Sequence, residues 1–547
     1  MEMETLKTTR SRQKQLEQLS PFELKDSFIK LASQQQAGNI RAMLNAGRGN
    51  PNWTAIPPRE AFFLLGKFGI EECNAKMSRP SGIAGSPQKK GIATRFEKFL
   101  EENKTVAGAA LLKSLYEYGI REHQFVPEDW VFELAEGIVG NQYPTPDRML
   151  KHSEIIVHDY LVQEICGNKQ LQGKYDIFAV EGGTAAMCYL FDSLAVNGLL
   201  NKGDKIALGV PAFTPYLEIP ELQRYQFEVV QIHGSGRDKN GFLNFQYPDN
   251  ELDKLGDQSI KAFFITNPSN PTSVRISDNS LEYLEKLMKN RNPKLMILTD
   301  DVYGTFVDGF RSLMSELPHN TLCVYSFSKY FGATGWRLGV IALHEDNVYD
   351  KMIAALPKNE QQRLAKLYAP ISLHPESIKF IDRLVADSRQ VALNHTAGLS
   401  LPQQMQMLLF AGFAVLDKEN NYKRDSVNII QHRYKLLWEG MSLPIRPDPD
   451  RAAYYCELDI LEWASRRYGK EFVDFLNDNF EPVDVLFRLA EMSSIVLLNG
   501  GGFGADEWSV RVSLANLEDQ DYSIIGQELT RTMMEYVTAW QDTQKKV

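Results

Sequence analysis

Between Asp176 and Ala342 the chain repeats one pattern: a short apolar run, then a helix-patterned stretch. The runs are Asp176–Val180, Lys205–Gly209, Phe227–Ile232, Ala262–Thr266, Leu295–Thr299, Thr321–Ser326 and Leu338–Ala342, with a helical pattern such as Ser280–Asn290 between several of them. Runs that are apolar throughout, without polar alternation, are buried on both faces. Strands of this kind separated by helices predict a largely parallel sheet with helices on both faces, hence an α/β domain. In such sheets functional groups gather at the carboxyl ends of the strands.

The flanks have a different character. Residues 1–40 are polar and helix-prone, with Leu16, Leu19 and Phe22 as a weak apolar stripe suited to docking, not to catalysis. A turn-rich segment, Asn45-Ala46-Gly47-Arg48-Gly49-Asn50-Pro51-Asn52-Trp53, follows, in which two glycines allow close backbone approach. Residues 59–140 read as mostly helical, broken by the Ser/Gly/Pro-rich Ser78–Pro87. After Pro402 comes a long helical stretch and then mixed helix and strand. The expected division is an N-terminal segment with a covering loop (1–58), a helical insertion (59–140), a large α/β domain (141–401) and a small C-terminal α+β domain (402–547), the smaller unit being built from both chain ends.

Bulk properties exclude several classes. With 60 basic and 70 acidic residues, the net charge of −10 disfavours a nucleic-acid partner. The five cysteines, Cys73, Cys166, Cys188, Cys323 and Cys456, form no C-x-x-C pair and read as free thiols. The N-terminus lacks an apolar signal core, and the longest apolar stretch, Met407–Leu416, is too short to span a bilayer. The expectation is a cytoplasmic protein with no membrane partner. The histidines show no H-E-x-x-H spacing, so no metal is expected.

Four strand ends carry chemistry. Ser326-Phe327-Ser328-Lys329-Tyr330-Phe331-Gly332-Ala333-Thr334-Gly335-Trp336-Arg337-Leu338-Gly339 combines two serines, a lysine and an arginine eight residues beyond it. Those hydroxyls and the guanidinium suit a phosphate, and a lysine beside a phosphate suits a Schiff base to a carbonyl cofactor. Leu298-Thr299-Asp300-Asp301-Val302-Tyr303 offers carboxylates able to hold a pyridine nitrogen protonated. Thr266-Asn267-Pro268-Ser269-Asn270-Pro271-Thr272 offers an amide for a ring oxygen, and Val180-Glu181-Gly182-Gly183-Thr184 offers a helix N-terminus for an anion. Taken singly, N-P-x-N-P also reads as a plain turn and Gly-Gly-Thr as a plain start of a helix.

As an ordered set, these motifs resemble the fold-type I, aminotransferase-like enzymes that use pyridoxal 5'-phosphate. The resemblance implies that Lys329 forms the Schiff base and that Arg337, Ser326, Ser328, Gly183 and Thr184 hold the phosphate. It further implies that Asp300 pairs with the pyridinium, that Asn270 and Tyr303 bond the ring oxygen and that Phe213, in Pro211-Ala212-Phe213-Thr214-Pro215-Tyr216, stacks on the ring. Tyr143, before Pro144, resembles a tyrosine that reaches the phosphate of a neighbouring subunit. Ser273 departs from the pattern, since many members have Gly after N-P-T.

Arg511, in Val510-Arg511-Val512-Ser513, reads either as a structural ion pair or, by the resemblance, as the arginine that binds the substrate α-carboxylate. Arg48, with Gly47 in the covering loop, reads either as a turn arginine or as the partner of a second carboxylate. The loop, the long insertion and the lysine segment together look like the L-aspartate 4-decarboxylases. That implies conversion of L-aspartate to L-alanine and CO2, with aminotransferase side activity on 2-oxo acids (pyruvate, 2-oxoglutarate, oxaloacetate). It also implies a homodimer as the minimum unit, assembled into dodecamers in relatives. The rival readings are an aspartate or aromatic aminotransferase without decarboxylation, and a non-catalytic regulator that senses the cofactor.

Overall fold

The computed structural model describes residues 10–36, 43–144, 147–169, 171, 173–389, 398–445 and 447–545. Residues 1–9 and 37–40 of the polar N-terminal segment therefore lie outside the described residues.

A two-residue strand, β1 (Leu44–Asn45), precedes the large sheet. The seven predicted runs become β2 (Tyr175–Val180), β3 (Lys205–Val210), β4 (Glu228–His233), β5 (Ile260–Thr266), β6 (Met296–Asp300), β7 (Thr321–Ser326) and β8 (Gly339–His344). They pair in the order β2-β8-β7-β6-β5-β3-β4. β3 to β7 run parallel, whereas β8 is antiparallel to both its neighbours. Side chains alternate across β5. Ala262 and Phe264 pack with Leu190 and Leu194 of the helix Gly183–Val196. Phe263 and Ile265 pack on the other face with Leu284 and Leu287 of the helix Asp278–Asn290. The fold is thus α/β, with helices on both faces of a mostly parallel sheet, because its central strands bury apolar side chains on each side.

The helical insertion comprises Pro57–Lys76, Ile92–Glu102, Ala109–His123 and Pro127–Val139. It packs around the strongly apolar helix Leu401–Leu416, which also lies against Lys151–Ile165. Ser400 caps this helix by accepting the Gln403 N–H. The covering loop and the insertion are both tied to the lysine segment. Trp53 Nε1 donates to the Tyr330 carbonyl at 3.1 Å, and Arg59 donates to the carbonyls of Phe331 and Gly332.

The C-terminal part holds β9 (Tyr455–Asp459), β10 (Ile495–Val496), β11 (Leu498–Asn499) and β12 (Ser509–Ser513). β11, β12 and β9 form an antiparallel sheet, and β10 pairs in parallel with β1. That pairing, with Ser513 N–H donating to the Ala46 carbonyl at 2.8 Å, fixes the N-terminal loop onto the C-terminal unit. The Gly47-Arg48-Gly49 turn is thereby carried over the carboxyl ends of the large sheet.

Candidate active site

The carboxyl ends of β5, β6 and β7, the N-terminus of Gly183–Val196 and β12 enclose a cavity of about 260 Å³. Its wall contains Gly183, Thr184, Phe213, Asn270, Asp300, Tyr303, Ser326, Ser328, Lys329, Arg337 and Arg511. Their convergence follows from the sheet: parallel strands end on one edge, so residues just past each strand face one crevice.

At one end, anion-binding groups meet. Ser326 Oγ donates to Ser328 Oγ at 3.0 Å. Arg337 donates to the carbonyls of Thr334 and Glu181 at 3.2 and 3.4 Å. Gly182 precedes the helix at φ 91°, and a β-carbon there would lie 2.6 Å from Arg337 Nη2. Only glycine fits both the backbone angle and the space. The free N–H groups of the helix N-terminus face the same place.

Asp300 ends β6 and is buried, accepting the Tyr216 hydroxyl at 2.5 Å and the Val302 N–H at 3.2 Å. Burial pushes its carboxyl above the ordinary aspartate value, while those two bonds and Lys329 pull it down. A buried carboxylate in this position is suited to a cationic ring nitrogen. Asp301 points the other way and bonds Thr299, Ser312 and Cys323. The period of two along a strand therefore separates the two carboxylates.

Lys329 donates to the Gly49 carbonyl at 2.9 Å, which brings the covering loop directly onto the amine. Arg511, 2% exposed, donates to the Asn270 side-chain carbonyl and to the Gly47 carbonyl, each at 3.0 Å. Its Nε–H has no hydrogen-bond partner, nor does the buried Thr266 hydroxyl oxygen in the same wall. No carboxylate pairs with Arg511 among the described hydrogen bonds and ion pairs. Of the two sequence readings, a structural ion pair finds no partner here, and a buried guanidinium with a spare donor is suited to an incoming carboxylate.

Two expected residues stand elsewhere. Arg48 is exposed and outside the cavity wall, although Gly47 and Gly49 on either side of it bond the site. Tyr143 is 67% exposed and also outside the wall. Ser273 adopts φ 56°, the left-handed region that glycine enters without strain. Here its hydroxyl offsets part of the strain by accepting the Tyr455 N–H at 2.8 Å.

Seven cavity residues were not expected as site residues: Thr266, Val302 and Thr334, beside the four that follow. Phe22, expected only to dock, packs edge-on to Phe213 at 5.9 Å and lines the cavity. Tyr216 closes the Pro211–Tyr216 motif and was legible there. Gly49 contributes a carbonyl, which no motif signals. Tyr455 carries no local signal, because only the pairing of β9 with β12 brings it beside Arg511.

Comparison with known proteins bears on the family and the fold. Residues 167–527 match the family described as aminotransferase class I and II. The chain is 48% identical over 517 residues to the bifunctional aspartate aminotransferase and L-aspartate beta-decarboxylase of Pseudomonas sp, covering 94% of this chain and 96% of that one. A more local similarity, 30% over 158 residues, links it to the aspartate aminotransferase of Sulfolobus acidocaldarius, covering 28% and 37% of the two chains. In three dimensions it resembles a Thermus thermophilus aspartate aminotransferase double mutant, with a TM-score of 0.54 at 16% identity over 93% of this chain and 96% of that one. The Pyrococcus horikoshii aromatic aminotransferase gives the same score at 16% identity, over 92% and 99%. At such identities the structural likeness speaks for the fold alone. Among the described residues no helix is long and apolar enough to cross a membrane.

Proposed function

The chain belongs to the class I and II aminotransferase family, and from that premise we propose that it removes the β-carboxylate of L-aspartate, giving L-alanine and CO2, with aspartate aminotransferase activity at the same site. The observation that carries this reading is the near full-length similarity to the bifunctional enzyme, joined to a cavity that gathers Lys329, Asp300 and Arg511.

Pyridoxal 5'-phosphate fits the groups present. A buried carboxylate awaits a ring nitrogen, and the Gly182–Arg337 cradle awaits an anion. When bound, the cofactor supplies a carbonyl that condenses with amines and a ring that accepts electrons. Lys329 would hold its carbonyl carbon and Asp300 its ring nitrogen. Asn270 and Tyr303 would bond its ring oxygen, Phe213 would stack on the ring, and Gly183, Thr184, Ser326, Ser328 and Arg337 would hold the phosphate. Arg511 binds the substrate α-carboxylate, using the Nε–H that lacks a partner. Lys329, as a free amine, takes the substrate α-proton and later returns it.

Arg48 lies on the covering loop, which supports a role in orienting the β-carboxylate as the loop closes. A tight clamp there would stabilise the ionised ground state and oppose CO2 loss. Substrates of the transamination would be 2-oxo acids such as pyruvate, 2-oxoglutarate and oxaloacetate. Self-assembly is supported by exposed apolar side chains: Phe63 and Ile70, 69% and 63% exposed, share one stripe of the helix Pro57–Lys76, and Tyr143 is nearby in sequence to its partner helices. We assign a homodimer as the minimum unit, with Tyr143 reaching the partner's cofactor phosphate, and larger assemblies such as a dodecamer through the insertion. The working division is 1–58, 59–140, 141–401 and 402–547.

The test is to incubate cofactor-loaded protein with L-aspartate and to follow CO2, L-alanine and oxaloacetate. Equal CO2 and alanine with traces of oxaloacetate support the reading. Oxaloacetate that forms only with an added 2-oxo acid, without CO2, would reduce it to an aminotransferase. Light scattering of the same sample reads the assembly size.

A further inference from the structure

Loss of CO2 from the substrate leaves an electron pair where the carboxylate was attached, and alanine forms only when that carbon gains a proton. Lys329 is engaged with the α-proton, so a second donor is required in the cavity. Resting on the function proposed above, we propose that Tyr455 is that donor.

Three observations converge on its hydroxyl. First, Tyr455 is 2% exposed and lines the cavity together with Lys329 and Arg511. A β-carbon built on Gly49 would lie 2.6 Å from Tyr455 Oη and 3.1 Å from Lys329 Nζ. Hydroxyl and amine thus flank one point beneath the covering loop. Second, the Tyr303 hydroxyl donates to Tyr455 Oη at 3.1 Å, so the proton of Tyr455 itself is left for the cavity. Third, the Arg511 guanidinium carbon stands 4.3 Å from the centroid of the Tyr455 ring. With Lys329 nearby, a phenolate formed here has two cations and a hydrogen bond to stabilise it.

The other phenols of the wall are less suited. Tyr216 gives its proton to Asp300, and Tyr303 is assigned to the cofactor's ring oxygen, giving its proton to Tyr455 only when that oxygen is absent. Burial raises the phenol of Tyr455, but Lys329, Arg511 and the Tyr303 bond outweigh it and hold it below the ordinary tyrosine value. Burial instead keeps Tyr303 and Tyr454 well above that value. The backbone placement is deliberate: Ser273 Oγ accepts the Tyr455 N–H, and the ring packs edge-on to Tyr303 and Tyr454 at 5.5 and 5.1 Å.

The step balances. The C–C bond to the leaving carboxylate breaks and its electron pair stays with the substrate. A C–H bond then forms at that carbon as the Tyr455 O–H bond breaks. The phenolate takes its proton back from water, so one proton is consumed for each CO2 released and no redox partner is needed.

The experiment compares wild type with Tyr455→Phe, both loaded with cofactor, on L-aspartate. In the variant, one CO2 per site is expected in a rapid burst, followed by alanine formation slowed about a hundredfold, the usual contribution of a positioned acid. Oxaloacetate formation does not need this proton and should fall much less. Independently of turnover, an ultraviolet difference titration of tyrosinate in wild type should show one phenol ionising below the rest, and Tyr455→Phe should remove it. Equal falls in CO2, alanine and oxaloacetate, with the low-titrating phenol still present, would make Tyr455 a wall residue and overturn the proposal. Wild type that releases no CO2 would overturn the proposed function itself, and this is seen before the variant is tested.

Discussion

The Arg511 guanidinium donates to the Asn270 side-chain carbonyl at 3.0 Å, joining β12 of the C-terminal unit to the loop after β5 of the large sheet. Both residues are buried, and the arginine also holds the Gly47 carbonyl of the covering loop. One guanidinium therefore connects the three parts of the chain that close the cavity, with its Nε–H in reserve.

Arg511→Lys retains a charge but loses the planar fork that can hold a carboxylate by two bonds. We expect kcat/KM for L-aspartate to fall roughly tenfold to a hundredfold, as for one or two lost charge-assisted bonds. Steady-state kinetics with aspartate checks it.

Asp300→Asn removes the charge that would hold a ring nitrogen protonated. Activity should fall on the order of a thousandfold. Tyr216→Phe leaves the carboxylate without its 2.5 Å donor, a bond that pulls its pKa down. Asp300 should then titrate higher, and the pH midpoint of the bound cofactor's absorbance should shift with it. An unshifted midpoint would count against an Asp300 contact with the ring.

Arg48→Ala should raise KM for L-aspartate by about tenfold, the loss of one charge-assisted contact, while leaving affinity for L-alanine little changed. Normal decarboxylation kinetics in this variant would remove Arg48 from the site.

Gly182→Ala forces a side chain into φ 91° and sets a methyl against Arg337 Nη2 at 2.6 Å. With ψ 170° this is backbone that essentially only glycine adopts, and forcing another residue into it costs roughly 1–3 kcal/mol. Weaker cofactor retention on dialysis, with the fold preserved by circular dichroism, is the expected outcome.

Glu457, buried on β9 opposite Arg511, is pushed up to about 8, chiefly by burial and further by Asp459 and Asp506, against the pull of Ser509 and Arg511. Between its ordinary value of 4.5 and about 8, the folded chain holds a proton that the unfolded chain has released. Unfolding then releases a proton, so stability falls as pH rises through this window. The contribution is on the order of a few kcal/mol. Glu457→Gln should flatten the loss of Tm between pH 5 and 8, checked by thermal melts of both proteins.

Six strands of the large sheet were legible as local runs of mostly buried apolar side chains, and the edge strand β4 by its β-branched Val229, Val230 and Ile232; the residues just past the strand ends inherit a common edge. Lys329, Asp300, Asn270, Ser326 and the Gly182–Gly183 turn could therefore be named from the sequence, each adjoining a readable strand or helix start. The resemblance named Asp300 over Asp301, and strand alternation accounts for the two pointing opposite ways. Tyr455, Gly49 and Phe22 were not legible in this way. Their positions depend on β9 pairing with β12, on β1 pairing with β10 and on the loop closing over β7. Such contacts join residues from about fifty to several hundred positions apart. Local propensity carries no record of them, because they are chosen by the burial and backbone pairing of whole units. The sequence by itself thus determined the sheet and the chemistry along its edge. Tertiary packing decided what covers that edge and which phenol stands beside the lysine.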